Sequence, residues 1–249
     1  MSTADSSAPS GDRSKFDGLF RQARPLLLSQ THQRDVPPVE GGRWPVSVVL
    51  FPDRAMTAAL ERVMHEAVRM AGQRHFHTGL AGSAHFTVRA LEKYRDAIGP
   101  DDVPVERYCA ALRAAAARSH PIGLRVVGLT LASNGVIACA IPTDTAAGQF
   151  ATTLASELGP DSWREADFHR DIWYSTVVHF ADDIARPQQL VDWVADRRDL
   201  DLGITITNTV HLVRFRHDAW DGRPLMRPEP LGEATLAGST RWSPPAQQA

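Results

Sequence analysis

From residue 44 onward the chain alternates between two hydrophobic periods. Trp44 to Phe51 (WPVSVVLF) is β-branched and closed by Pro52, so it reads as a strand. Met56 to Met70 carries Ala59, Leu60, Val63, Met64 and Ala67 at helical spacing and ends near Gly72. Ala84 to Leu91 reads as a second strand, and Val103 to Ser119, almost pure Ala, Leu and Arg inside, as a second helix. The apolar runs Leu124 to Leu131 and Val136 to Ile141 are joined by Ala132-Ser133-Asn134-Gly135, where Asn-Gly predicts a type I′ hairpin turn with positive φ at both central residues. Thr143 or Asp144 caps a helix that runs to Leu158 and stops at Gly159-Pro160. Ile172 to Phe180 is a strand, Pro187 to Arg198 a helix, and Ile204 to Arg216 closes the sheet with a break near Asn208.

The order β-α-β-α-β-β-α-β-α-β divides into two similar halves around the hairpin. It predicts an α+β fold, antiparallel-rich sheets with helices packed outside, over residues 43–220. Residues 1–42, with Ser, Pro, Gly and Asp clusters, read as a mostly disordered tail containing one short helix, Phe16 to Ser29, free to fold onto the body. Residues 221–249 read as a Pro/Gly-rich tail, disordered from Ser243. Charged residues are 22% with a net charge of -2, so the chain lacks the basic excess of non-specific nucleic-acid binders, and no double-stranded DNA partner is expected. Cys109 and Cys139 suit two small buried hydrophobes in a reducing compartment. With neither a secretory pattern nor a long apolar run, the expectation is a cytoplasmic monomer without membrane contact. No Gly-rich loop stands between a strand and a helix, so no nucleotide cofactor is expected.

Chemistry concentrates in two short stretches, His85-Phe86-Thr87-Val88 and Tyr174-Ser175-Thr176-Val177, on corresponding strands of the two halves. Residues i and i+2 of a strand share a face, so His85 projects with Thr87 and Tyr174 with Thr176. This pattern resembles the two-histidine (2H) phosphoesterase superfamily, which includes the 2′-5′ RNA ligase-like enzymes, with the second signature histidine replaced by Tyr174. The resemblance spans about residues 44–216 and implies a two-lobed, pseudo-symmetric fold. It also implies a metal-independent reaction on a cyclic phosphodiester or an RNA 2′,3′-cyclic phosphate end, with one imidazole as base and the other as acid. A phenol with an ordinary pKa near ~10 is protonated at neutral pH and cannot replace a base. The roles implied are therefore His85 as base, Tyr174 as acid or phosphate donor, and Thr87 and Thr176 as phosphate clamps. The ligand would be a small nucleotide-like or RNA-end phosphodiester, with no cofactor and no metal. The alternative is that Tyr174 marks a fold that has lost phosphodiesterase activity and serves as a ligand-binding module or a repurposed biosynthetic enzyme.

Further residues bear on this cradle. Regular alternation puts Arg89 on the face of Thr87, where a guanidinium suits a phosphate; an ion pair to Glu92 or Asp96 is the other use. His77, in a polar approach to the His85 strand, folds over the cleft mouth as an auxiliary group or is a solvated loop residue. His179 lies five positions after Tyr174, so alternation sends it to the opposite face as a surface histidine unless a bulge intervenes. Asp171 orients a ring or guanidinium in the site, or closes a turn. Phe86 and Trp173 alternate into the core, and Trp44 and Trp163 stack on a base or pack. A metal trio of His75, His77 and His85 lacks a His-Glu-x-x-His or paired-cysteine frame, and no Gly-x-Ser-x-Gly elbow marks a serine hydrolase.

Overall fold

The computed structural model describes residues 13–166, 171–220 and 223–237, so the expectations for 1–12 and 243–249 fall outside it. Its elements are α1 (Ser14–Leu28), β1 (Val46–Leu50), α2 (Arg54–Ala71), β2 (Phe86–Glu92), α3 (Val103–Ala116), β3 (Ile122–Ala132) and β4 (Gly135–Pro142). They continue with α4 (Ala146–Leu158), a 3-10 helix (Gly159–Glu165), β5 (Trp173–His179), α5 (Pro187–Ala195), β6 (Asp201–Thr207), β7 (Thr209–Trp220) and β8 (Arg223–Thr235). Two antiparallel four-stranded sheets result, ordered β2-β1-β7-β8 and β5-β4-β3-β6. This is the predicted α+β architecture. Side chains of both sheets, among them Val48, Leu50, Phe86, Leu124, Ala138 and Val177, pack with α2 into one hydrophobic cluster. The two halves therefore share a core, which fixes the angle between their sheets.

Local chemistry sets the element ends. Asp53 caps α2, its carboxylate accepting the Met56 N–H at 2.9 Å, and the row Met56, Ala59, Leu60, Val63, Met64 and Ala67 is buried as its spacing predicts. Asp102 caps α3 in the same way through the Val105 N–H. The hairpin differs from expectation. Ala132 pairs with Gly135, so the turn residues are Ser133 and Asn134, and neither has positive φ. Gly135 instead opens β4, because a Cβ there would run into the Val178 carbonyl oxygen of β5.

The folded unit is wider than residues 43–220. α1 buries Phe16, Ala23 and Leu27, and the strap that follows it buries His32 and Asp35. The helix thus folds onto the body, anchored by these three residues. At the other end, β8 pairs with β7 from Trp220↔Arg223 to Thr209↔Thr235, in a stretch whose prolines read as a tail. The carbonyls of Pro224 and Met226 are taken on the outer side by the His77 N–H and the Ser83 hydroxyl, so even-numbered residues of β8 turn their backbone groups away from β7. Pro224, Pro228 and Pro230 fall in that set, where a missing N–H costs no ladder bond.

Candidate active site

β2 and β5 are the edge strands of the two sheets, and they flank a cleft of about 210 Å³. Its lining includes His85 just before β2 and Thr87 within it, Tyr174, Thr176 and His179 from β5, Arg43 and Trp44 from the strap, and Glu165 from the 3-10 helix. Ser47 of β1 and Phe215 of β7 complete its floor. The structure thus brings His85, Thr87, Tyr174 and Thr176 together as the period of two requires. Phe86 and Trp173 alternate into the core.

Both edge strands carry a bulge just after the threonine. Along β5 the ladder advances from Thr176 to Val178 while β4 moves only from Ile137 to Val136, which reverses the alternation. His179 consequently pairs with Gly135 and shares the face of Tyr174 and Thr176, contrary to the surface position that strict alternation predicts. Along β2 the ladder steps from Thr87 to Arg89 while β1 moves from Val49 to Val48. Arg89 therefore turns to the face of Val48, away from Thr87. Its guanidinium donates to the carbonyls of Ser162 and Glu165, each at 2.9 Å, and holds the 3-10 helix instead of lining the cleft. Among the described residues, the cation that lines the cleft is Arg43.

Two other expectations also change. Phe76 exchanges backbone hydrogen bonds with His179, Gly79 donates to Val177, and His77 donates to Pro224. The segment is thus sewn between β5 and β8, and His77 is buried there, outside the cleft lining. Asp171 forms an ion pair with Lys15 of α1 and is not among the residues that line the cleft. Among the described residues no three His, Cys, Asp or Glu side chains are gathered to hold a metal, and no helix is long and apolar enough to cross a membrane. Both thiols are free.

The two histidines are held differently. His85 Nδ1 donates to the Ser83 carbonyl at 2.7 Å, which leaves Nε2 for the cleft, and the ring lies 4.9 Å from that of Phe215. Burial pulls its pKa down to about 4, the Ser83 carbonyl opposing this and a charge on His179 adding to it. His179 Nδ1 faces the Asp35 carboxylate at 2.7 Å, so its Nε2 is likewise the nitrogen left for the cleft. Asp35 also accepts from Asn134 Nδ2 at 2.9 Å and pairs with Arg43 at 2.6 Å. Burial disfavours the Asp35 charge, but His179, Arg43 and Asn134 outweigh it and keep the carboxyl below its ordinary pKa. For His179, burial outweighs the opposing pull of Asp35, and its pKa lies below the ordinary imidazole value. Trp44 is one of two described non-glycine residues with positive φ, at 73°. Its ring packs 4.8 Å from His179 and 5.9 Å from Phe215, and its indole N–H donates to Val36. It walls the cleft, whereas Trp163 is exposed on the 3-10 helix.

Asp35 and Arg43 escaped sequence reasoning, because the strap carries no periodic pattern, whereas Trp44 reads in the sequence only as a stacking or packing residue. The signal present was an acidic residue in an otherwise unstructured stretch, which has no directional content. Family models and curated protein sequences give no match to the chain. Solved structures do. TT0787 of Thermus thermophilus is similar at 16% identity and a TM-score of 0.52, covering 78% of this chain and 99% of its own. Escherichia coli LigT in complex with 3′-AMP is similar at 13% identity and a TM-score of 0.51, covering 78% of this chain and 98% of its own. Both are members of the 2H phosphoesterase superfamily, and the fold of this chain is the two-histidine phosphoesterase fold.

Proposed function

We propose that the protein is a metal-independent phosphoesterase acting on a cyclic phosphodiester, such as a 2′,3′-cyclic phosphate at a nucleotide or RNA end. The observation that carries this reading is the convergence of His85, Thr87, Tyr174 and Thr176, from edge strands of two sheets, on one cleft. Two hydroxyls on facing strands suit the non-bridging oxygens of a phosphate, and Arg43 supplies positive charge beside them. His85, neutral at physiological pH with Nε2 toward the cleft, is the base for an attacking water. Tyr174 offers a hydroxyl donor to the phosphate. Complete small-ligand pockets run to ~300–1,000 Å³, so a cleft of about 210 Å³ suits the phosphate end of a ligand whose remainder lies outside. The 3′-AMP of the LigT complex is a nucleotide ligand on this same fold.

The test is hydrolysis of 2′,3′-cyclic nucleotides and of a short RNA with a 2′,3′-cyclic phosphate end, with His85→Ala in parallel and a chelator in every reaction. Turnover by the wild type that His85→Ala lacks supports the reading. Equal background from both proteins would sink it and leave the fold as a binding module.

A further inference from the structure

We infer that His179, held by the buried carboxylate of Asp35, is the second imidazole of the cleft and the proton donor to the leaving oxygen, with Tyr174 confined to binding the phosphate. The inference rests on the phosphodiester reading above. Its first support is position, since the β5 bulge sets His179 beside Tyr174 and Thr176 on the cleft face. The second is construction. Asp35 is fixed from three sides by His179, Asn134 and Arg43, and a carboxylate on Nδ1 orients the ring and stabilises its cation. The third is strain, because Trp44 adopts a left-handed conformation while its ring packs against His179.

The unlike partners assign the roles. His85 leans on a neutral carbonyl and His179 on a carboxylate, so the proton of the pair rests on His179 and the vacant nitrogen is on His85. Water then attacks phosphorus, its proton passing to His85 Nε2 as the O–P bond forms. The opposite P–O bond breaks and its oxygen takes the proton of His179 Nε2. The product is a phosphomonoester with a free hydroxyl, and solvent restores both rings. Among the described residues, the charged and titratable groups around His179 are Asp35 and Arg43 from the strap, with His85, Glu165 and Tyr174 in the same cleft. Asp35 acts through His179 and is a positioning residue.

The experiment uses the full chain and follows kcat/KM for 2′,3′-cyclic nucleotides against pH for wild type, His179→Gln, Asp35→Asn and Tyr174→Phe. Activity should rise as His85 loses its proton near pH 4 and fall as His179 loses its own, so the optimum lies on the acid side of ~6.5. His179→Gln should cost about 10²–10⁴-fold in kcat and Tyr174→Phe less. Asp35→Asn keeps the imidazole but removes the charge that favours its cation, so the alkaline limb should move to lower pH. An active wild type matched by His179→Gln, or a Tyr174→Phe loss exceeding that of His179→Gln, overturns the inference and leaves the phosphoesterase reading intact. An inactive wild type overturns that reading instead, and NMR titration of histidine-labelled protein with inorganic phosphate then decides. If both His85 and His179 take up protons at higher pH with phosphate bound, His179 stands as the second imidazole of the anion site. A response of His85 alone overturns it.

Discussion

Arg89 and Arg43 divide between them two tasks that a regular strand would have given to one residue. Arg89 stands two positions from Thr87, yet the intervening bulge commits its guanidinium to the Ser162 and Glu165 carbonyls. Arg89→Met keeps the aliphatic stem and removes the charged donors, so it should lower stability by about 1.5–3 kcal/mol. KM for a cyclic nucleotide should stay at the wild-type value, because no phosphate contact is lost. Denaturant unfolding and steady-state kinetics on one preparation separate the two effects; a raised KM with unchanged stability would return Arg89 to the phosphate. At this scale the sequence placed His85 with Thr87 and Tyr174 with Thr176, because residues two apart share a face where no bulge separates them, and the bulges of both strands come after the threonines. It could not expose Arg89 or His179 correctly. Each lies beyond a bulge, and the extra residue that reverses the alternation has no side-chain signature.

The bulges make the edge strands equivalent in a way that the motifs alone conceal. On β2 the cleft-side sequence is His85, Thr87 and then Ala90, which pairs with Ser47 of the cleft floor; on β5 it is Tyr174, Thr176 and then His179. Both follow the spacing i, i+2, i+5. One half carries its imidazole at the first position and the other at the last. Gly135 is what allows the β5 bulge to sit against β4, since an added Cβ would meet the Val178 carbonyl oxygen and crowd the Thr176 side chain. Gly135→Ala should therefore push β5 outward, destabilise by about 1–3 kcal/mol as overpacked substitutions do, and reduce turnover by misplacing His179. Gly148→Ala, within α4 where a Cβ meets nothing within 4 Å, should stabilise by about 0.4–1 kcal/mol without touching activity. Thermal unfolding and turnover of the two variants provide the comparison, and an unperturbed Gly135→Ala protein would show that β5 does not depend on that close approach. Helices and most inner strands were legible from their periods, but not their caps: Asp53 and Asp102 cap α2 and α3, and α4 starts after Thr145 where Thr143 or Asp144 was expected as the cap. β8 was not, because proline is a breaker in general and harmless only where its missing N–H faces away from a partner, which is a property of register.

Across the whole molecule, the strap between α1 and β1 ties the cleft to the shared core. It delivers Asp35, Arg43 and Trp44 to the cleft, and through His32 it reaches a second buried imidazole group. The His32 ring sits edge-on to Phe180 at 5.3 Å, and the His75 ring does the same at 5.5 Å. His75 Nδ1 accepts the Ala181 N–H at 3.1 Å while Nε2 donates to the Ala71 carbonyl at 3.0 Å, so protonating Nδ1 would break a backbone bond. Burial lowers the pKa of His32, His75, His179 and His211 and takes that of His85 to about 4. In the unfolded chain the same rings take up protons near ~6.5, so below that pH the unfolded state binds more protons than the native one. The stability these rings contribute is complete above ~6.5 and drains away as the pH falls, the His85 share being exhausted near pH 4. Asp35, whose carboxyl is held below its ordinary value, adds a loss of the same sign at lower pH still. Tm should consequently decline from about pH 7 downward, well above the range in which carboxylates titrate. His85→Gln, which cannot take up a proton, should make that decline shallower between pH 6 and 4. A Tm that stays level from pH 8 to pH 5 would mean that these imidazoles ionise as freely in the native protein as in the unfolded chain, and the neutral state of His85 assumed by the mechanism would lose its basis.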